Sequence, residues 1–143
     1  MSCVDFYILD TADSPSRLLI ACRLCEKAWL GGYRTLILSE TRDQQESLDN
    51  LLWTFRPGSF VPHAIESNRT HSRTPVILND SLTARPDINL LINLQASAID
   101  APENIERIIE IVDQDEQVRS EGRQRYRYYQ KIGKTLRSHR ISL

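Results

Sequence analysis

The sequence predicts one three-layer α/β domain over residues 1–143, a mainly parallel sheet with helices on both faces. Three observations carry that expectation. Strand and helix signals alternate along the chain. The strand candidates are near-continuous apolar runs, as in strands covered on both faces. Hydrophobic residues make up 41% and charged residues 26% of 143, the composition of an ordinary globular domain. A chain of this length buries about two-thirds of its unfolded surface, enough for a core without staples.

Residues 3–9 (CVDFYIL) are β-prone and apolar and predict the first strand. Ser14 before Pro15 suits a helix start, and that helix runs to Leu30 before Gly31 and Gly32. Leu18, Cys22, Cys25 and Trp29 fall on one face of it. Residues 34–39 (RTLILS) predict a second strand. Thr41 with Gln44 matches a capping box, and Leu48, Leu51, Leu52 and Phe55 form the apolar stripe of a second helix. Arg56-Pro57-Gly58 ends it, and residues 59–63 (SFVPH) are expected as a loop with an apolar centre. Residues 67–73 are polar and expected to be exposed. Residues 74–78 and 88–94 predict a third and a fourth strand. Residues 107–112 (RIIEIV) follow a helix-like start at Pro102 and Glu103, but their β-branched density favours a fifth strand. A last helix starts near residues 113–115 and stops at Gly133.

No apolar run approaches the ~20 residues that span a bilayer, and the first ten residues lack the basic region of a signal peptide. Cys3, Cys22 and Cys25 are too few for a disulfide framework, so a cytoplasmic setting is expected. Net charge is −1, from 18 basic and 19 acidic residues. Its distribution is lopsided: residues 119–143 carry +7, and residues 1–118 therefore −8. A basic end on an acidic body suits a polyanionic partner: nucleic acid, a phosphate ligand or an acidic peptide.

Catalytic and cofactor motifs find little support. The first strand–helix turn, residues 10–16 (DTADSPS), has no glycine, and the five glycines form neither GxGxxG nor GxxxxGK[ST]. A backbone with a Cβ at every position does not approach a pyrophosphate closely. No cofactor is expected. Asp10 and Asp13 are a weak metal pair, and Asp13 better supports the helix N-terminus. Cys22 and Cys25 form a CxxC about two turns into a helix, where packing rather than redox chemistry is the expectation. His63, His71 and His139 lack ligand spacing, so no metal site is expected. There is no GxSxG elbow, and no catalytic residue is assigned.

Two segments remain. Trp53 and Phe60 flank a loop rich in proline and glycine, which leaves two readings open, core packing or an exposed partner patch. In the last helix, Val118, Gly122, Tyr126 and Tyr129 are spaced to face the body. Arg119, Arg123 and Arg127 recur every four residues as an adjacent cationic stripe. Guanidinium forks beside an aromatic wall suit a carboxylate flanked by an apolar side chain. They also suit single-stranded nucleic acid.

Together, the DFYIL strand, LLWTFRPGSFVPH in the middle and RQRYRYYQKIG near the end resemble the chi subunit of bacterial DNA polymerase III. The resemblance covers essentially the whole chain. It implies a non-enzymatic clamp-loader accessory protein with a nucleotide-binding-like fold lacking a working nucleotide site. The implied partners are the psi subunit and the acidic C-terminal tail of single-stranded DNA-binding protein, which ends in Pro-Phe. By motif match the tail site is Val112, Arg119, Arg123, Tyr126 and Arg127. The match for the psi interface, also used by a helicase partner, is Trp53 and Phe60. The family often places an aromatic after the helix-ending glycine; Lys134 stands there instead, which implies a more salt-sensitive grip. Contact with nucleic acid is then mainly indirect. Two alternatives are direct single-stranded nucleic-acid binding and a phosphate-ester hydrolase, the latter requiring a deep polar cleft at the strand C-terminal ends.

Overall fold

The computed structural model describes residues 3–66, 74–82 and 86–142. The expectation for residues 67–73 lies outside them. Seven strands and three helices follow one another as β1 (Cys3–Leu9), α1 (Ser14–Leu30), β2 (Thr35–Leu38), α2 (Arg42–Thr54), β3 (His63–Ile65), β4 (Val76–Asn79), β5 (Leu90–Asn93), β6 (Arg107–Val112), α3 (Glu116–Lys131) and β7 (Thr135–Ile141). The strands form one sheet in the order β3-β4-β2-β5-β6-β1-β7, parallel at every pairing. Both β3 and β7 form the sheet edges; the first begins at His63, the last residue of the expected loop, and runs beyond it, the second lies in a tail for which no element was expected.

Strand alternation sorts the core into two layers. Leu9, Ile37, Leu78, Ile92 and Ile111 point to the face covered by α1 and α2, where Cys22, Cys25, Leu48 and Leu52 meet them. Val4, Phe6, Leu38, Leu91 and Val112 point to the opposite face, against Tyr129 of α3. The predicted three-layer architecture is therefore the observed one. Among the described residues, no helix is long and apolar enough to cross a membrane.

Helix ends follow local chemistry, with one correction. The cap of α1 is Asp13, not Ser14: its Oδ1 accepts from the Ser16 amide at 2.8 Å, and Ser14 is already helical. A carboxylate accepts this bond more strongly than a hydroxyl and also complements the helix dipole. At α2, Thr41 Oγ1 accepts from the Gln44 amide at 3.1 Å, while Gln44 Oε1 accepts from the Glu40 amide at 2.7 Å. The box closes one residue further back than the usual motif.

Candidate functional site

Helix α3 is positioned from beneath. Asp115 caps it, accepting from the Val118 amide at 3.1 Å. Its buried residues are Gly122, Arg125 and Tyr129. A Cβ on Gly122 would stand 2.8 Å from Val112 Cγ2, so glycine is what lets the helix lie this close to β6. Arg125 Nε donates to Glu110 Oε1 at 2.8 Å and its Nη1 to the Ala96 carbonyl at 3.0 Å. Tyr129 Oη and Asn93 Nδ2 donate to Glu110 Oε2 at 2.7 and 2.9 Å. Tyr129 Oη in turn accepts from the Ile99 amide at 2.9 Å. Burial pushes the Glu110 carboxyl above its ordinary value, against the pull of Arg125, Asn93 and Tyr129. The network ties one flank of α3 to the ends of β5 and β6 and fixes the helix's rotation.

The other flank forms a cleft of about 420 Å³ with the sheet. Register builds its floor. Ile8 of β1 lies between Val112 of β6 and Arg140 of β7, and Phe6 lies opposite Ser138. These residues share the face beneath α3, whose Arg119, Gly122, Arg123 and Tyr126 complete the lining with Gln114. The Tyr126 ring is half-buried and packs on Phe6, centroids 5.2 Å apart at 58°. No acidic residue lines the cleft. Arg119, Arg123 and Arg140 are exposed, and among the described residues none has a carboxylate within 4.0 Å. The arrangement is an apolar slot with a cationic rim, suited to a carboxylate-bearing chain with an apolar end group.

Of the expected tail residues, the fold brings Val112, Arg119, Arg123 and Tyr126 into this cleft. Arg127 lies one turn from Arg123 on the same exposed stripe, outside the lining. The open question at the aromatic loop is decided for exposure. Trp53 is 52% and Phe60 68% exposed, and their rings meet edge to face with centroids 5.6 Å apart. The loop is held from behind. Val61 is buried. Arg56 pairs with Glu26 at 2.7 Å, and the Ser59 hydroxyl donates to the same carboxylate. Beneath Trp53 sits the buried ring of His63, 4.6 Å away between centroids.

Elsewhere the pairing is structural. Cys22 and Cys25 are fully buried, and burial pushes the Cys22 thiol up to about 12 and the Cys25 thiol higher still. At the C-terminal ends of β2, β5 and β6 there is a hollow of about 240 Å³, bordered by Arg17, Glu40 and Gln95. Arg17 reaches across it, Nε donating to the Ile111 carbonyl at 3.0 Å. Among the described residues, no cluster of three or more His, Cys, Asp or Glu is placed to hold a metal.

Sequence reading missed the β7 contribution, Ser138 and Arg140, and the Glu110–Arg125 anchor. A signal for the anchor existed: one acid inside an apolar strand, followed by one base on the buried stripe of the next helix. None existed for Arg140, whose place depends on strand order.

Comparison with known proteins follows the same outline. The profile described as DNA polymerase III chi subunit, HolC, matches residues 1–137. The chain is similar to DNA polymerase III subunit chi of Pseudomonas aeruginosa, at 35% identity over 141 residues, 99% of this chain and 98% of the relative. It is 31% identical to the Haemophilus influenzae subunit, over 95% of each chain. With the Escherichia coli subunit it shares 30%, over 92% of each. Among solved structures it superposes on T4 UvsW with a TM-score of 0.73 at 6% identity, covering 99% of this chain and 41% of that one. The TM-score against the Saccharomyces cerevisiae Dbp5 C-terminal domain is 0.61 at 13% identity, over 98% and 90%. At such identities these two likenesses show the fold alone.

Proposed function

This chain belongs to the DNA polymerase III chi subunit family and is a non-catalytic accessory subunit of that polymerase; from that premise we propose that it is an adaptor between the clamp loader and coated single-stranded DNA in the cytoplasm. The cleft between α3 and β7 receives the acidic C-terminal tail of single-stranded DNA-binding protein. Its terminal phenylalanine enters the slot between Val112 of the sheet and Tyr126 of α3. Its carboxylates meet Arg119 and Arg123, with Arg127 reaching the peptide from the next turn. The observation that supports this most is the unneutralised cationic rim on an apolar slot, with no acidic residue in the lining. The Trp53–Phe60 pair, exposed on the α2 side, is the surface for the psi subunit or a helicase in its place.

A peptide contact of this kind gives micromolar affinity, about −8 kcal/mol, and several tails on one partner raise it through avidity. Titration of a fluorescent tail peptide tests the site. Arg123→Ala should weaken binding at least tenfold with an unchanged melting temperature; unchanged affinity would remove the tail from this cleft. Trp53→Ala should abolish co-purification with psi while tail binding persists. Retention of bare single-stranded oligonucleotide with tail-peptide affinity absent would favour the nucleic-acid reading instead.

A further inference from the structure

The cleft does not end at Arg140. Ile8, Gln114 and Arg140 border it on one side and a second hollow of about 510 Å³ on the other. That second hollow is completed by Leu9, Asp10, Ile141 and Ser142, at the C-terminal ends of β1 and β7. The two depressions therefore form one groove along the sheet edge, with Arg140 on the saddle. Strand order explains it: α3 packs over β6 and β1 on this face, and β7 extends the sheet beyond the helix. Arg140 and Ile8 are register partners, so both project to the groove side.

The charged groups along this edge differ in one respect. Arg137 and His139, on the opposite face of β7, are engaged by Asp5 at 2.8 and 2.9 Å. Asp10 accepts from Ser142 Oγ at 2.8 Å. Arg140, on the groove face, has no carboxylate partner among the described residues. A guanidinium so placed attracts an anionic chain crossing the saddle.

We propose that Arg140 is the specificity-determining residue for the part of the tail that precedes its apolar end. It pairs with an acidic side chain upstream, while Arg119 and Arg123 hold the terminal carboxylate. The peptide then runs from the first hollow to the saddle, and only its uncharged positions pass Asp10, which borders the second hollow. This rests on the tail-binding reading of the first hollow. It adds a prediction about peptide length that the reading alone does not make.

The test uses the full chain and two synthetic peptides ending in Pro-Phe. One has about four residues, and the other about ten with acids upstream, long enough to reach ~33 Å when extended. Wild type should bind the long peptide more tightly. Arg140→Gln should weaken the long peptide roughly three- to tenfold, the scale of one net hydrogen bond at an exposed site, and leave the short one unchanged. Arg140→Glu should weaken the long peptide further, while Arg123→Ala should weaken both. If Arg140→Gln leaves the long peptide unaffected, or weakens both equally, the proposal is overturned and the tail site stands. If wild type binds neither peptide, the tail reading falls and this proposal with it.

Discussion

Replacing Arg125 with methionine isolates what holds α3 in place. The perturbation keeps most of the apolar stem and deletes the charge facing Glu110, whose side chain is fully buried, with Arg125 itself 2% exposed. Breaking a buried pair by removing one partner costs about 3–5 kcal/mol, because the remaining charge is left without compensation. Asn93 and Tyr129 still donate to Glu110, so the lower end, about 3 kcal/mol, is expected. For a chain of this size about 4 °C is lost per kcal/mol, giving a fall of roughly 12 °C. The deficit should depend on pH. Burial already raises the Glu110 carboxyl, and without the cation it rises further. A carboxyl raised above its unfolded value contributes its full stability below that value and loses it as pH climbs through the folded one. The variant should therefore lie closer to wild type near the unfolded carboxyl value, ~4.3, than at neutral pH. Thermal melts by circular dichroism across that range read both effects. Adding Glu110→Gln removes the orphaned charge but keeps an acceptor for Tyr129, and should restore most of the loss. A double variant no more stable than Arg125→Met alone would refute the account.

Gly122→Ala forces a Cβ to within 2.8 Å of Val112 Cγ2, and β-branched Val112 yields poorly. Overpacking of about 1–3 kcal/mol is offset by about 1 kcal/mol of helix propensity, so denaturant melts should show a net loss of about 0–2 kcal/mol while tail-peptide affinity falls with the lifted helix. At Asp5, burial opposes ionisation, but bonds from His139, Arg137 and Arg107 hold the carboxyl below its ordinary value. Its contribution is complete above the unfolded carboxylate range and lost as pH falls through the folded value, so Asp5→Asn should lose about 1–3 kcal/mol at neutral pH and lessen the acid sensitivity of unfolding. Asp13→Ala should lower the melting temperature and Ser14→Ala should not; the reverse would return the α1 cap to Ser14.

Legibility followed burial. Strands β2, β5 and β6 are covered on both faces, so each reads as an apolar run. Edge strand β7 reads TLRSHRI. Its inward positions on the α1 face carry Arg137 and His139, because Asp5 of β1 takes the place an apolar side chain would fill. A strand held by charge across a register carries no hydrophobic signal, and nothing in its own residues names a partner 134 positions away. Strand β3 has three residues and offers too few positions for alternation to show. The helical stripe Arg119–Arg123–Arg127 was legible because its period is local. Arg125 broke the pattern for the same reason as β7: a buried charge substitutes for apolar contact only when a second element supplies the opposite charge.

That pattern also explains why the cleft lies at the sheet edge. In open α/β sheets, ligands gather in the crevice outside the strand C-terminal ends, and a pyrophosphate there needs a tight, glycine-rich turn. Here the chain itself fills the first strand–helix turn. Gln114 Nε2 donates to the Leu9 carbonyl at 2.7 Å, the Gln114 amide to the Thr11 carbonyl at 2.7 Å, and Asp13 spends its carboxylate on α1. The segment joining β6 to α3 is thus tied to the end of β1. Its path then sets α3 down over β6 and β1, with β7 at the sheet edge flanking the cleft. Cationic residues collect on both sides of that cleft: Arg119 and Arg123 from the helix, Arg140 from the edge. The filled first strand–helix turn and the cationic cleft beside α3 are two results of one chain path.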